Sequence, residues 1–278
     1  MSFVARIAAP LALALACALP AAAQQKDKGY EPQVGQAGKD VIWVPTPDEV
    51  VDRMLRMAQV TANDYVIDLG AGDGKIAIAA AKKFGARALG IEYNPDMAKH
   101  AQLNAEKAGV TGRAKIVQGD IFASDFSQAT VITMYLLPAL NLKLRPQILS
   151  MRPGTRVVSH SFNMEDWEPD ETSNLDGRRA YLWIVPANVM GNWILEAGGE
   201  KSDLAFEQRY QKISGHVALG PVHAGLRDTR LRGLAIAFAY VDHAGVRRDF
   251  TGRVSGGRME GSFRAENGAE GRWHAARK

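Results

Sequence analysis

The 278 residues leave room for one large domain or two ordinary ones. Hydrophobic residues at 46% and charged residues at 23% are globular proportions, and they exclude a wholly disordered chain. The formal charge of +4 comes from scattered basic residues with only short clusters, such as Arg178-Arg179 and Arg247-Arg248, so no nucleic-acid partner is expected from it.

The chain opens with Arg6, an apolar run from about Ile7 to Leu19, then Pro20 and Ala21-Ala22-Ala23 before Gln24. A positive residue, a short apolar stretch and a small-residue cleavage site predict a signal peptide over residues 1–23 and a periplasmic or secreted protein. The run is shorter than the ~20 residues of a membrane span, so no stable span is expected after cleavage. Cys17, the sole cysteine, falls in this leader, and neither disulfides nor thiol catalysis is expected beyond it. Residues 24–40 are polar and aperiodic and predict a flexible lead-in.

From residue 41 two periods alternate. "TPDEVVDRMLRMAQV" spaces Val50, Val51, Met54 and Leu55 as one helical face, with Thr46 a candidate cap and Pro47 at the first turn. "DYVIDLG" reads as a strand, "GKIAIAAAKKFG" as a helix stopped by Gly85, "ARALGIE" as a strand, and "PDMAKHAQLNAEKAG" as a helix stopped by Gly109. "AKIVQGD" and "ATVITMYL" are strands, "LNLKLRPQIL" a helix and "TRVVSHSF" a fifth strand. Such alternation predicts an α/β, Rossmann-like domain over 41–187, with a doubly wound, mostly parallel sheet.

Residues 188–278 change texture to short alternating runs between Gly-rich turns, which predict a small all-β meander or barrel-like domain. Trp193, Phe206, Tyr210, Phe238, Phe250, Phe263 and Trp273 are its expected core. Either this segment is a separate module, or "YLWIVP" and "GNWILEA" pair and continue the first sheet.

The glycine loop carries the chemistry. Gly70 and Gly72 follow a strand as in a dinucleotide loop, but Lys75 stands where a third glycine is wanted and Gly74 comes one residue early. Asp68 and Asp73 would both face a pyrophosphate at this helix start, where one anion is already the limit. A ligand with a cationic end and no phosphate fits better, and S-adenosyl-L-methionine is such a ligand. Glu92 ends the next strand, placed to accept both ribose hydroxyls. Asp120 ends the third strand, placed to accept from an adenine amino group, with Ile121 and Phe122 as apolar surface for the ring.

"DLGAGDGKIAI", "GIEYNP", "QGDIF" and "ATVITMYLLP" resemble the successive motifs of class I S-adenosylmethionine-dependent methyltransferases. More narrowly, "VPTP" at 44–47, the "GAGDGK" loop, "LLP" at 136–138 and "WEPD" at 167–170 resemble the lysine methyltransferase family that includes the ATP-synthase c-subunit enzyme. The likeness covers roughly residues 41–186. It implies that Asp68, Gly70, Gly72, Glu92 and Asp120 contact the cofactor and that the "VPTP" segment, with Thr46, lies across the site; Asp73 and Ile121 complete the expected cofactor set.

Plainer roles stay open for several of these residues. Gly70 and Gly74 serve any turn, and Asp68 or Asp120 could cap. Tyr135, the candidate catalytic side chain, is as readily a packed aromatic. His100 and His160 have no partners at metal-ligand spacing, so no metal is expected. Ser159 and Ser161 lack a nucleophile elbow. Tyr135-Leu136-Leu137-Pro138 lacks the Asp- or Asn-Pro-Pro pattern of adenine and amide methyltransferases, which argues against those acceptors; the resemblance implies a lysine amine, and the export signal places it on an envelope protein. The second function class is a non-catalytic periplasmic binding protein built on a methyltransferase fold, raised because the cofactor is made in the cytoplasm.

Overall fold

The structure, a computed structural model, describes residues 30–278, and the leader expected over 1–23 lies outside the described residues. In chain order the first domain comprises α1 (Asp48–Met57), β1 (Tyr65–Leu69), α2 (Lys75–Phe84), β2 (Arg87–Glu92), α3 (Pro95–Lys107), β3 (Ala114–Gln118), β4 (Val131–Met134), α4 (Pro138–Leu149), β5 (Arg156–His160), β6 (Glu171–Leu175) and β7 (Arg178–Ile184). The strands lie in the order β3-β2-β1-β4-β5-β7-β6. Neighbours from β3 to β5 are parallel, while β7 runs antiparallel to both β5 and β6. The α/β, Rossmann-like reading therefore holds for this half of the chain.

Local chemistry explains the boundaries. Asp48 and Glu49 stand in the first turn of α1, where the helix dipole favours anions. Asn94 caps α3 by accepting from the amides of Asp96 and Met97, and Pro95 opens the helix with its φ already set. Gly85 ends α2 in a left-handed conformation at φ +71°. One apolar layer, including Val50, Met54, Leu55, Ala77 and Ala80, covers one face of the sheet. The other, including Phe126, Ile148, Trp167 and Trp183, covers the opposite face. Between β1 and β4 the chain changes direction across the sheet, and this is where open α/β sheets place their ligands.

Two features differ from the sequence reading. Thr46 makes no cap bond to α1; its Oγ1 lies 3.2 Å from His160 Nδ1 instead, and both residues are buried. The segment expected as a flexible lead-in is hydrogen-bonded where residues 35–43 fold back on themselves. Gly35 N donates to Trp43 O, Trp43 N donates to Gln36 O, and Ala37 bridges Ile42.

The second half comprises β8 (Gly191–Ala197), β9 (Glu200–Arg209), β10 (Lys212–Leu219), β11 (Val222–Gly225), β12 (Arg227–Arg232), β13 (Ala235–Val241), β14 (Arg247–Ser255), β15 (Arg258–Ala265) and β16 (Glu270–Arg277). All nine form one antiparallel sheet, ordered β11-β10-β9-β8-β16-β15-β14-β13-β12. It curls until its ends approach: Thr229 Oγ1 donates to Ile213 O at 2.6 Å, and Leu226 N to Gly215 O at 2.9 Å. The result is a nearly closed barrel around Trp193, Phe206, Phe238, Phe250, Phe263 and Trp273. Tyr210 is the exception among the expected core residues. It sits in the β9–β10 turn at φ +55° and packs against the first domain's apolar layer. "YLWIVP" pairs with β5 and β6, and "GNWILEA" with β9 and β16, so those two stretches do not pair with each other.

Candidate active site

The sharp turn after β1 is built from glycines with positive φ, +78° at Gly70 and +53° at Gly72. Without Cβ atoms the backbone runs close to its neighbours. A Cβ on Gly72 would stand 2.5 Å from Trp43 Nε1, and one on Gly70 would stand 3.0 Å from Leu136 Cδ2. The amides of Gly70 and Ala71 donate to Ile91 O, and Asn104 Nδ2 holds Asp73 O at 3.0 Å, so the loop is fixed from both sides.

Carboxylates stand at the carboxyl ends of three neighbouring strands. Asp68 is buried at the end of β1, and its Oδ1 accepts from Thr133 Oγ1 at 2.8 Å. Burial pushes its carboxyl up to about 7, with the negative charges of Asp73 and Glu92 adding to the rise. Glu92 spends one lone pair of each oxygen on backbone: Oε2 accepts from Gly72 N and Oε1 from Asn94 N, both at 2.9 Å. Each oxygen keeps a free acceptor position, and the carboxylate is held rigid.

Asp120 follows β3, and its Oδ1 accepts from Phe122 N. Its Oδ2 takes Lys39 Nζ at 2.7 Å, and this cation holds the carboxyl below its ordinary value. Lys39 also lies over the Tyr93 ring at 4.8 Å. The folded-back segment is thus a strap from the Lys39 tip to Trp43, laid over the glycine loop.

The residues singled out from sequence for the site line one cleft of about 280 Å³: Thr46, Asp68, Gly70, Gly72, Asp73, Glu92, Asp120, Ile121, Phe122 and Tyr135. Sequence reasoning missed Lys39, Trp43, Tyr93 and Phe162, which line it too. Trp43 directly precedes the "VPTP" segment and was the one signal at hand; no periodicity marks the others. His160 lies beneath the cleft, its ring 4.0 Å from that of Tyr135, and burial with the nearby Arg178 pulls its pKa down to about 4. It is a neutral prop for Tyr135. Among the described residues, no group of three or more His, Cys, Asp and Glu side chains is placed to hold a metal.

The donor set suits a sulfonium ligand with a ribose. Buried Asp68 and the rigid Glu92 are acceptors, and the glycine loop leaves room for close backbone approach; three carboxylates on this rim oppose a pyrophosphate. Residues 68–171 match the model of the ANTKMT methyltransferase domain. A protein-lysine N-methyltransferase of Saccharolobus islandicus is 46% identical over 151 residues, covering 52% of this chain and 94% of the relative. The ATP-synthase c-subunit lysine N-methyltransferase of Mus musculus is 33% identical over 132 residues, and the match takes in 53% of it, about half its length. The crystal structure of an RNA methyltransferase from Salinibacter ruber with S-adenosyl-L-homocysteine shares 51% identity at a TM-score of 0.52, covering 52% of this chain and 96% of that one.

Fold and cleft together define a class I methyltransferase whose cofactor is S-adenosylmethionine. Within that class the chain belongs to the family of the Saccharolobus islandicus protein-lysine N-methyltransferase.

Proposed function

We propose that this methyltransferase acts on the lysine side chain of a protein. The carrying observation is the acceptor side of the cleft, where Tyr135, Leu136, Leu137, Leu140 and Phe162 form an apolar wall. A lysine ammonium, with an ordinary pKa of ~10.4, must lose its proton before it can attack. An apolar wall disfavours the charged form and lowers that pKa. The names of the lysine-modifying relatives support the same acceptor.

S-adenosylmethionine supplies an electrophilic methyl group on a good leaving group. The chain's own residues bind and orient. Glu92 would accept from the ribose hydroxyls, Asp68 would stand toward the cationic end, and Asp120 with Ile121 and Phe122 would hold the adenine side. Tyr135, braced by His160 and stacked on Phe162 at 6.2 Å, aligns the entering amine. Trp43 and the strap exclude water from above the loop.

We further propose that the acceptor is an envelope protein and that the enzyme is exported, on the strength of the signal-like pattern over residues 1–23. Purified protein should begin at Gln24 by N-terminal sequencing; an intact Met1 on a cytoplasmic species contradicts export. For the reaction, tritiated S-adenosylmethionine is offered with polylysine and with total RNA. Label in polylysine, and its loss in Glu92→Ala, is expected. Label confined to RNA, the substrate named for the Salinibacter protein, overturns the lysine reading.

A further inference from the structure

The β9–β10 turn leaves the barrel and reaches the loop that walls the active site. The Tyr210 ring stacks on buried Trp167 at 5.9 Å, and its hydroxyl donates to Asp166 Oδ2 at 3.0 Å. Arg209 reaches the same oxygen at 2.9 Å. Arg145, on α4, donates to Asp166 Oδ1 at 2.5 Å and to Met164 O at 3.0 Å. Trp167 Nε1 donates to Gln211 Oε1, whose Nε2 donates in turn to Glu168 O at 2.6 Å. These bonds grip residues 164–168 from two elements at once.

The gripped loop begins where β5 ends, and its first turn carries Phe162 into the cleft wall. Ser161 at φ +63° and Glu165 at φ +52° are non-glycine residues in the left-handed region. Such conformations cost on the order of 1 kcal/mol or more and persist only where surrounding contacts hold them. Asn141 fixes the middle by donating to the carbonyls of Phe162 and Asn163 at 3.3 Å. Neither Asp166 nor Tyr210 lines the cleft.

We infer that Asp166 and Tyr210 are positioning residues for methyl transfer: the barrel turn fixes loop 161–168 and through it Phe162 and Tyr135, which align the acceptor. This rests on the lysine reading above. Attack on a methyl group is an in-line displacement, and a misplacement of about 1 Å costs roughly 10²-fold in rate. The barrel is therefore part of the acceptor side's geometry and no part of cofactor recognition.

The test uses the full chain as wild type, Asp166→Asn, Tyr210→Phe and Tyr210→Ala. Three quantities are measured: S-adenosyl-L-homocysteine affinity by calorimetry, hydrogen exchange of residues 161–170, and kcat and KM with polylysine. Asp166→Asn and Tyr210→Ala should exchange faster in that loop and lose roughly tenfold or more in kcat, with homocysteine-ligand affinity within about twofold of wild type. Tyr210→Phe keeps the stack and should retain most of the activity. Wild-type turnover in variants whose loop exchanges faster overturns the role, as does a parallel fall in ligand affinity and kcat. Unlabelled polylysine with a wild type that binds the ligand overturns the lysine reading itself, and this role with it.

Discussion

At the residue scale, two buried groups titrate against each other. A carboxyl raised to about 7 in the fold, as at Asp68, binds a proton that the unfolded chain releases near its ordinary 3.8, so stability falls as pH rises between those values. A histidine lowered to about 4, as at His160, refuses a proton that the unfolded chain takes up near 6.5, so stability is lost as pH falls through that window. From pH 7 to pH 5 each effect amounts to about 2 kcal/mol, with opposite signs. The wild-type urea midpoint should therefore move little over this range. Asp68→Asn should lose about 2 kcal/mol on acidification, and His160→Gln should gain about as much; parallel behaviour of the two variants would refute the assignment. A cation received by Asp68 favours its charged form, so S-adenosylmethionine affinity should rise between pH 6 and pH 8, and calorimetry should find that rise missing in Asp68→Asn. Glu92→Ala, which strips charge-assisted acceptors from the ribose side, should weaken binding by about 2–3 kcal/mol in the same titration.

At the scale of elements, the strap and the glycine loop form a pair. The Lys39–Asp120 bridge that pins the strap tip is exposed, and water and salt screen bridges of that kind. Trp43 against Gly72 is the tighter contact. Gly72→Ala adds a methyl into the indole at a φ that L-residues avoid, so it should reduce cofactor affinity at least tenfold and shift the emission of half-buried Trp43. The other four tryptophans are fully buried and serve as the constant background. The elements of the cofactor side were legible in the sequence because each obeys a local rule: a strand, then glycines, then an acid at the next strand's end. β6 was not, since "ETSNL" is a polar edge strand with no alternation, ordered only by its pairing with β7. The strap was not legible either, because its order comes from Trp43, Lys39 and Asp120 meeting across some eighty positions of chain. Tyr210 looked like barrel core by its aromatic type, and only the left-handed turn turns it outward.

At the scale of the whole molecule, two apolar cores lie in one chain and meet through a turn. Trp273 is buried among Phe238 and Phe250, with its Nε1 donating to Thr251 O at 3.0 Å. Trp273→Ala should cost about 3–5 kcal/mol of barrel stability. No barrel core residue lines the cleft, so the calorimetric affinity for S-adenosylmethionine should stay unchanged while the thermal midpoint falls. The pairing of β8 with β16 in the middle of the barrel sheet has a consequence of its own. β8 finds its second neighbour in β16, with Ala197 opposite Trp273, so the first barrel strand to leave the ribosome waits for the last. Closing so long a span is entropically slow compared with the hairpins inside it. Until that strand arrives, β8 presents an open edge that can recruit another nascent chain. Translation that stops short of β16 leaves β8 with an unpaired edge, a product prone to aggregate.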